Sequence, residues 1–357
     1  MLLKDIISFE SKSKIKAGEA SAVGNYQFFS SSEDTSKRYF EYQFDGEYLI
    51  MGTGGNATLH YFNGKFATST DTLTIKVKNN VRTKYLYYYL LSNFHILEQG
   101  FKGAGLKHTN KNYIENIQIN SFPDLKEQDF IISILNRISN TFDKKNKELE
   151  LLSNLVKSRF VEMFGDPESN PFGLPIKKLS ELGSLDRGRS QHRPRNAPEL
   201  LDGPYPLIQT GEVSAAGLYI TEYHSTYSEL GLKQSRMWKA GTLCITIAAN
   251  IAQTAIMTFD VCFPDSVVGF VPYNEVSALY MHYWFGFFQK ILEEQAPQVA
   301  QKNINLKILS DLNVIVPEKK MLNKFESFVK QVYKSKFAIL TNLFQFCKIY
   351  VWETLIF

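Results

Sequence analysis

An internal repeat constrains the fold of this chain more than any other feature of the sequence. Matching segments recur at a constant separation of 195 positions, and they begin at Gly46 and Gly241, Asp71 and Ser266, Tyr85 and Tyr280, and Lys107 and Lys302. Chance does not hold one separation from residue 46 to residue 119, so the chain consists of two copies of one module. At 357 residues it is long enough to give each copy its own hydrophobic core.

The order of sequence patterns is the same within each copy. A short helix or strand opens the copy, at 2–7 and at 178–183, and short strands separated by Gly, Asn and Asp turns follow a polar loop. An aromatic amphipathic helix comes next, at about 84–98 and about 278–294, and a strand that ends at a proline closes the copy. We therefore predict an α+β (mixed α/β) fold with two tandem strand-rich modules related by a pseudo-twofold repeat.

A long helix is predicted after each module. The seam positions of the first helix are Ile131, Leu135, Ile138, Phe142, Leu149, Leu152, Val156 and Met163, with Lys145 and Arg159 at the two polar ones. Those of the second helix are Phe325, Val329, Val332, Ile339, Leu343, Phe346 and Tyr350. Asp124 with Glu127 predicts a capping box at the start of the first helix, and Gly165 predicts its end.

Such heptad seams indicate helices that pack along the length of another helix. Two helices that leave equivalent modules can pack antiparallel as a coiled coil, which we favour over packing of each helix on its own module. The predicted domains are a first module at 1–124, a central spacer helix at 125–165, a second module at 166–317 and a C-terminal spacer helix at 318–357.

Catalytic signatures are missing from the sequence. It contains no Gly-x-x-x-x-Gly-Lys-Ser/Thr phosphate loop, and none of its six histidines lies in a His-Glu-x-x-His pattern or near an acidic or cysteine cluster. The run Gly52-Thr-Gly54-Gly55 lacks the strand, loop and helix context of a nucleotide loop, so it is predicted to be a turn. We expect no catalysis, no metal and no cofactor in this chain.

Cysteine usage indicates a reducing compartment. The three cysteines lie far apart without a Cys-x-x-Cys pattern, which argues against a disulfide framework or a zinc site. No secretory signal opens the sequence, so a cytoplasmic location is expected. The stretch 338–357 has only Lys348 and Glu353 as charged residues, but the helical spacing of its apolar positions favours a packed helix over a membrane span.

Basic loops follow the opening element in both copies. The first copy has Lys12, Lys14 and Lys16, and the second has four arginines within nine residues, Arg187, Arg189, Arg193 and Arg195. Ammonium and guanidinium groups bind phosphate oxygens, and arginine forks also recognise guanine edges. A single basic loop is usually only a solvated loop. Two of them in equivalent places make a shared anionic ligand such as double-stranded DNA an equally good interpretation, although the net charge is only +4.

Polar residues elsewhere in the repeat extend the candidate site. The candidate pairs are Ser31 with Gln209 in the next polar loops, and Lys107 with Lys302 before the closing strands. The two lysines are predicted to contact phosphates. Asn110 and Asn305 follow them, and we expect these asparagines to cap short helical turns rather than to bind a ligand.

The joint order of these segments resembles the specificity subunits of Type I restriction-modification systems. The similar stretches are Gly46–Thr53, 67–73, Tyr85–Leu91, Lys107–Pro123 and 160–167, the last of which ends in Met-Phe-Gly-Asp-Pro before the second module. None of them is a catalytic signature. The resemblance rests on their order and on the duplication, and it spans nearly the whole chain.

The resemblance implies a non-catalytic DNA-recognition subunit. Each module would recognise one half of a bipartite, asymmetric DNA site, and the helices would set the gap between the halves. Two methyltransferase subunits carrying S-adenosylmethionine would dock on the chain, and restriction subunits using ATP and Mg²⁺ could join them. A complex that only methylates, or a fused Type II-like system, is equally consistent with the sequence. A coiled-coil scaffold with duplicated protein- or ligand-binding modules is the alternative of a different class.

One feature departs from the family pattern. The resemblance predicts a charged second helix with a polar end, whereas Phe344–Phe357 is apolar on nearly all faces. Burial of this segment by a partner subunit and a truncated or frame-altered reading frame are the two interpretations. The second of these interpretations would put assembly of a working complex in doubt.

Overall fold

The computed structural model describes residues 1–78, 80–248, 251–295 and 304–354, with the side chains of 289–295 and 344–354 left out of the description. The chain divides into two compact units, Met1–Asp143 and Lys144–Phe357. The division falls inside the first long helix, so the predicted domain limits at 124 and 165 remain predictions.

Unit 1 is built on one six-stranded sheet. Its strands are β1 (Ile7–Phe9), β2 (Tyr26–Phe29), β3 (Arg38–Tyr39), β4 (Phe44–Gly52), β5 (Leu59–Thr68) and β6 (Thr72–Val77). The strand order is β1-β6-β4-β5-β2-β3, and β2 and β5 are the parallel pair. The helices are α1 (Thr83–Ser92), α2 (Phe94–Glu98), α3 (Lys111–Glu115) and the start of α4 (Leu125–Phe164), with 3₁₀ turns at Leu3–Asp5 and Ala17–Glu19.

Alternation along β4 gives this sheet two buried faces. Leu49 points to the helix-covered core that contains Ile75 and Leu86. Ile50 points to the other face, where it packs in an aromatic cluster with Phe66. Aromatic residues make up 14% of the sequence, and their side chains pack on both faces of this sheet.

Unit 2 contains the second module and the remainder of the long helices. Its strands are β7 (Ile176–Lys178), β8 (Gly183–Arg187), β9 (Leu201–Leu207), β10 (Tyr219–Ile220), β11 (Ser225–Tyr227), β12 (Met237–Trp238), β13 (Leu243–Thr246), β14 (Thr254–Met257), β15 (Val261–Cys262), β16 (Val267–Pro272) and β17 (Asn313–Ile315). They form sheets of order β10-β14-β13-β16-β8, β11-β9-β15-β12 and β17-β7. The helices are α5 (Leu179–Leu182), α6 (Thr210–Ala215), α7 (Glu229–Lys233), α8 (Ala278–Gln295), α9 (Leu306–Ser310) and α10 (Lys319–Thr354), with a 3₁₀ turn at Pro198–Leu200.

Hydrogen bonds at equivalent positions confirm the duplication. The Asn110 side chain accepts from the backbone N–H of Tyr113 at the start of α3, and the Asn305 side chain accepts from that of Ile308 at the start of α9, both at 2.9 Å. Both asparagines therefore cap helices, as predicted. The separation between the two copies is one residue shorter for one strand of the sheets. Leu49 of β4 pairs with Ile75, and Leu243 of β13 pairs with Phe270, the residue 195 positions after Ile75. Strand β13 therefore lies 194 positions after β4.

Two details of the predicted first module are wrong. The aromatic helix expected at about 84–98 is broken into α1 and α2 at Asn93, whose side-chain and backbone N–H groups both donate to Tyr89 O. An asparagine that satisfies a helix carbonyl in this way competes with continuation of the helix. The closing strand of unit 1 is only an isolated bridge between Leu2 and Gln118, whereas its counterpart β17 pairs fully with β7.

The first long helix begins and ends where the sequence predicted. Asp124 Oδ1 accepts from the backbone N–H of Glu127 at 2.9 Å, and Gly165 follows the last turn with a φ of +77°. Within unit 1, α4 is fixed to the module by the bidentate pair of Arg82 with Asp129, both bonds at 2.8 Å. This pair joins the first turns of α4 to the residue that precedes α1.

Within unit 2 the end of α4 packs antiparallel to the start of α10. The rings of Phe160 and Phe325 lie 5.5 Å apart, and Lys336 Nζ donates to Ser153 Oγ at 2.7 Å, so later residues of α10 face earlier residues of α4. Val329 is almost fully buried in this seam. Mutual packing of the two helices is confirmed here, while the predicted seam side chains of Phe346 and Tyr350 lie outside the described residues. Among the described residues, no helix is both long and apolar enough to cross a membrane.

Candidate nucleic-acid interface

The turn between β5 and β6, residues 68–71, anchors the basic loop of unit 1. The buried Ser13 Oγ donates to Thr68 O at 2.5 Å, and the Thr70 N–H donates to Ile15 O at 2.8 Å. Gln43 Nε2 also donates to Ser13 Oγ, at 2.9 Å. These bonds hold the loop by its backbone and by one inward serine.

The lysines of this loop alternate with its inward residues. Lys12, Lys14 and Lys16 are all exposed, whereas Ser13 between the first two is buried. None of the three ammonium groups forms an ion pair with a carboxylate among the described residues. Unpaired, exposed ammonium groups on an anchored loop are available to an anionic ligand.

Ser31 and Lys107 meet at the same end of the sheet, but their roles differ. Ser31 Oγ donates to Asp71 O and accepts from the Thr53 N–H at 3.1 Å, so its hydroxyl is engaged within the protein. Lys107 O accepts from the Gly55 N–H at 2.9 Å, while its side chain is exposed and has no partner in the described part of the chain. Ser31 thus supports the site, and Lys107 presents a charge at it.

An equivalent turn, residues 263–266, anchors the arginine loop of unit 2. The Gly188 N–H donates to Val267 O at 2.9 Å, and a Cβ at Gly188 would collide with the carbonyl oxygens of Phe263 and Pro264. Only glycine permits this close approach. Arg187 Nε donates to Asp265 O at 3.0 Å. The anchors of the two loops, Thr70 and Asp265, are thus 195 positions apart.

Asp265 separates the four arginines into two groups. Its carboxylate pairs with Arg195 Nη2 at 2.7 Å and lies 3.9 Å from Arg193 Nη2, in addition to the bond from Arg187 to its carbonyl. Arg189 is exposed, and its guanidinium has no partner among the residues that the structure describes. Three guanidinium groups are therefore held in place around one turn, and the fourth is free.

Gln209 directly follows Ile208, a residue that is hydrogen-bonded to the strand before the 263–266 turn. Ile208 donates its N–H to Cys262 O at 3.0 Å, three residues before Asp265. The Gln209 side chain is exposed, and its backbone N–H donates to Glu212 Oε2 at the start of α6. Lys302, the remaining predicted contact, lies outside the described residues.

Sequence reasoning missed Arg236 and its neighbours, which brace the arginine loop. Arg236 Nη1 pairs with Asp186 at 2.8 Å, and its guanidinium lies 4.1 Å from the ring centroid of Trp238. Ser235 Oγ donates to Arg189 O, and the Gln191 N–H donates to Gln234 Oε1. A lone arginine far along the chain carries no sequence signal of this role. Among the described residues there is no cluster of metal-ligating side chains.

Comparison with known proteins places this arrangement in a family. The model of the Type I restriction modification DNA specificity domain matches residues 1–154 and 174–345. The specificity subunit of the Type I restriction enzyme MjaVIII of Methanocaldococcus jannaschii is 27% identical over 164 residues, which cover 45% of this chain and 37% of that protein. The chain thus spans little more than a third of this relative's length.

Solved structures share the fold. The S subunit of a Type I restriction-modification system from M. genitalium superimposes with a TM-score of 0.66 at 14% identity, covering 98% of this chain and 92% of that one. A chain from a structure of complex assembly in the type I R-M system gives a TM-score of 0.51 at 12% identity, covering 98% and 94%. The family match over both modules, together with this fold, shows that the chain belongs to the Type I restriction-modification DNA specificity family.

Proposed function

We propose that this chain recognises a bipartite, asymmetric DNA sequence, with each module contacting one half. The observation that carries the proposal is the equivalent anchoring of two different basic loops, one on Thr68 and Thr70 and one on Asp265. Equivalent placement gives both modules the same approach to a duplex. Different side chains on the loops, lysines in one and arginines in the other, suit recognition of different base pairs.

The candidate contacts divide by chemistry into two groups. Lys12, Lys14, Lys16, Lys107 and Lys302 are proposed as phosphate contacts, because an ammonium group acts as a point charge. Arg187, Arg189, Arg193, Arg195 and Gln209 are proposed as contacts that also include base edges, since guanidinium and amide groups bond bases bidentately. Arg189 is the foremost base-reading candidate, because no protein group in the described chain occupies its fork.

We propose further that the chain has no catalysis of its own and acts within a complex. Two methyltransferase subunits would dock on it, and restriction subunits could join them. S-adenosylmethionine, ATP and Mg²⁺ would reside on those partners, and the complex would work in the cytoplasm. The family membership and the pair of long helices support this assignment.

The test is methylation mapping in a host that lacks the system. The chain is co-expressed with its genomically neighbouring methyltransferase, and methylated adenines are located by single-molecule sequencing. A split motif that needs both proteins is expected. Exchange of residues 1–125 for another module should then change one half of the motif and leave the other. A soluble complex that produces no new methylation would contradict the proposal.

The scaffold alternative predicts a different response to salt. Contacts to DNA phosphates release counterions. The logarithm of the DNA association constant therefore falls steeply and linearly with the logarithm of the salt concentration. Titration of fluorescent duplex DNA with the assembled complex at several salt concentrations measures the slope. Affinity that is absent or independent of salt would favour a coiled-coil scaffold whose modules bind protein or another ligand.

A further inference from the structure

A cleft in unit 2 lies between the second module and the two long helices. No residue of the arginine loop lines it. It consists of two adjoining cavities of about 490 and about 550 Å³. Both are lined by Lys157 of α4, by Gly217, and by His282 and Tyr283 of α8. Cavities of this size accommodate small organic ligands. The DNA-recognition role proposed above leaves the cleft without an assignment.

Positive charge from both long helices enters the smaller cavity, which we call the lysine cavity. Lys157 lies on α4 and Lys336 on α10, and neither has a carboxylate partner among the residues described. Lys336 Nζ donates to Ser153 Oγ, a neutral group, at 2.7 Å. Burial, together with the nearby charge of Lys157, lowers the pKa of Lys336. Two ammonium groups held together without a counterion are stabilised by binding an anion.

The carboxylates around the cleft do not neutralise these lysines. Glu150 also lines the lysine cavity, but it pairs with Lys147 at 2.9 Å. Of the two cavities of the cleft, the larger one alone is lined by Asp166 and Glu168, and Asp166 Oδ1 accepts from the Glu168 N–H at 2.8 Å. Within the cleft, the lysine cavity is therefore the region suited to an anion.

Neutral donors and aromatic surfaces complete the lining. His282 bonds Thr254 Oγ1 through Nδ1 at 3.0 Å, which leaves its other ring nitrogen without a described partner. The Tyr283 hydroxyl has no hydrogen bond within the described residues. Tyr333 and Phe337 of α10 also line the lysine cavity, and Phe337 is 65% exposed. Such an exposed ring beside a cationic cavity offers a surface for a planar ring.

We propose that the lysine cavity binds a phosphate-bearing ligand of mononucleotide size. The phosphate lies between Lys157 and Lys336, and the planar ring lies against Tyr333 and Phe337. The same chemistry is offered by a free nucleotide and by a nucleotide of bound DNA. The site is separate from the basic loops, so it stands or falls independently of the proposed sequence recognition.

Isothermal titration calorimetry of the full chain tests the free ligand, with AMP, inorganic pyrophosphate and adenosine as probes. AMP and pyrophosphate should bind. Lys157→Met and Lys336→Met should each weaken them by about tenfold, the usual cost of one charge-assisted hydrogen bond. Lys334→Met, at an exposed position of the same helix, is the matched control and should leave affinity unchanged. Adenosine should bind more weakly than AMP.

A second arm distinguishes the source of the phosphate. If neither AMP nor pyrophosphate binds, duplex DNA is titrated with the same variants. Loss of DNA affinity in Lys157→Met and Lys336→Met, but not in Lys334→Met, would assign the site to a DNA phosphate. The proposal is overturned if small probes do not bind and DNA affinity is the same in all three variants. It is also overturned if AMP and pyrophosphate bind Lys157→Met and Lys336→Met as tightly as they bind the parent chain.

A control experiment tests whether each variant folds. Each variant is compared with the parent chain by circular dichroism and thermal melting. Should Lys336→Met fail to fold, Lys336→Arg replaces it, and this variant should retain phosphate binding because it keeps the charge. A folded Lys336→Arg protein that has lost all binding, while the parent chain binds, would contradict a role of charge at this position.

Discussion

At the scale of single residues, Asp265 organises the candidate interface of the second module. It is an acidic residue in the turn that anchors the basic loop, and it contacts Arg187, Arg193 and Arg195 of that loop. The carboxylate occupies guanidinium donors that a phosphate would otherwise use. Its presence fixes where the arginines lie in the absence of DNA, and it also competes with DNA for them.

We predict that Asp265→Asn raises affinity for non-specific duplex DNA and lowers discrimination in favour of the cognate site. The released arginines can pair with phosphates at any register, and one more phosphate contact steepens the salt slope by about 0.9. Salt titrations of DNA binding measure both effects. The control is Asp311→Asn, which removes an ion-paired carboxylate beside β17. Weaker non-specific binding by Asp265→Asn alone would show that the arginines depend on the carboxylate for their geometry.

The titration of His282 should make the stability of unit 2 depend on pH. Burial lowers the pKa of this imidazole from 6.5 to about 4, so the folded state binds fewer protons than the unfolded state between these values. Protonation therefore favours unfolding, and this contribution to stability is complete above pH 6.5 and is lost as the pH falls towards 4. The loss amounts to about 3 kcal/mol.

Urea denaturation at several pH values between these limits measures this loss. His282→Asn keeps an acceptor for Thr254 and removes the titration, so the stability difference between the parent chain and the variant should shrink as pH falls. Parallel curves for the two proteins across this range would be incompatible with a buried, neutral His282.

At the scale of elements, features specified by local sequence were predictable. Helix α4 begins after Asp124 and ends before Gly165, because a carboxylate cap and a left-handed glycine are local devices. The break at Asn93 was missed, since the aromatic pattern continues across it. The brace formed by Arg236 and the clamp formed by Asp265 were missed because both join residues distant in sequence. Only the tertiary fold brings such pairs together.

The equivalent caps of α3 and α9 lead to a paired prediction. Asn110→Ala and Asn305→Ala should each cost about 1 kcal/mol, because each removes one side-chain acceptor from a helix N-terminus. Denaturant unfolding of each variant, followed by circular dichroism, measures the cost. Asn112→Ala lies inside α3 rather than at its cap and should cost little. Equal effects of all three substitutions would mean that capping is not what these asparagines contribute.

At the scale of the whole molecule, the chain contains two units with separate cores. The core of unit 1 contains Leu49, Leu86 and Leu97, and that of unit 2 contains Phe160, Leu243 and Phe325. Units with their own cores can unfold at different denaturant concentrations. Their only covalent connection is through α4, at the junction of Asp143 and Lys144.

Tryptophan positions make this independence measurable in the intact chain. All three tryptophans, Trp238, Trp284 and Trp352, belong to unit 2. Tryptophan fluorescence should therefore report unfolding of unit 2 alone, whereas circular dichroism reports both units. We expect the two denaturation curves not to coincide. Superimposable curves at every denaturant concentration would indicate one cooperative molecule instead.

The anchoring of the basic loops has a consequence for how such a protein can change over time. Part of this anchoring comes from backbone groups and from small or inward residues, such as Ser13 and Gly188. Outward side chains such as Lys12, Lys14 and Arg189 have no partner among the described residues, so they can be replaced with little loss of stability. A duplicated gene can therefore acquire two unrelated preferences by point substitution in either half. Evolution can alter one half of the target while inheriting the other intact.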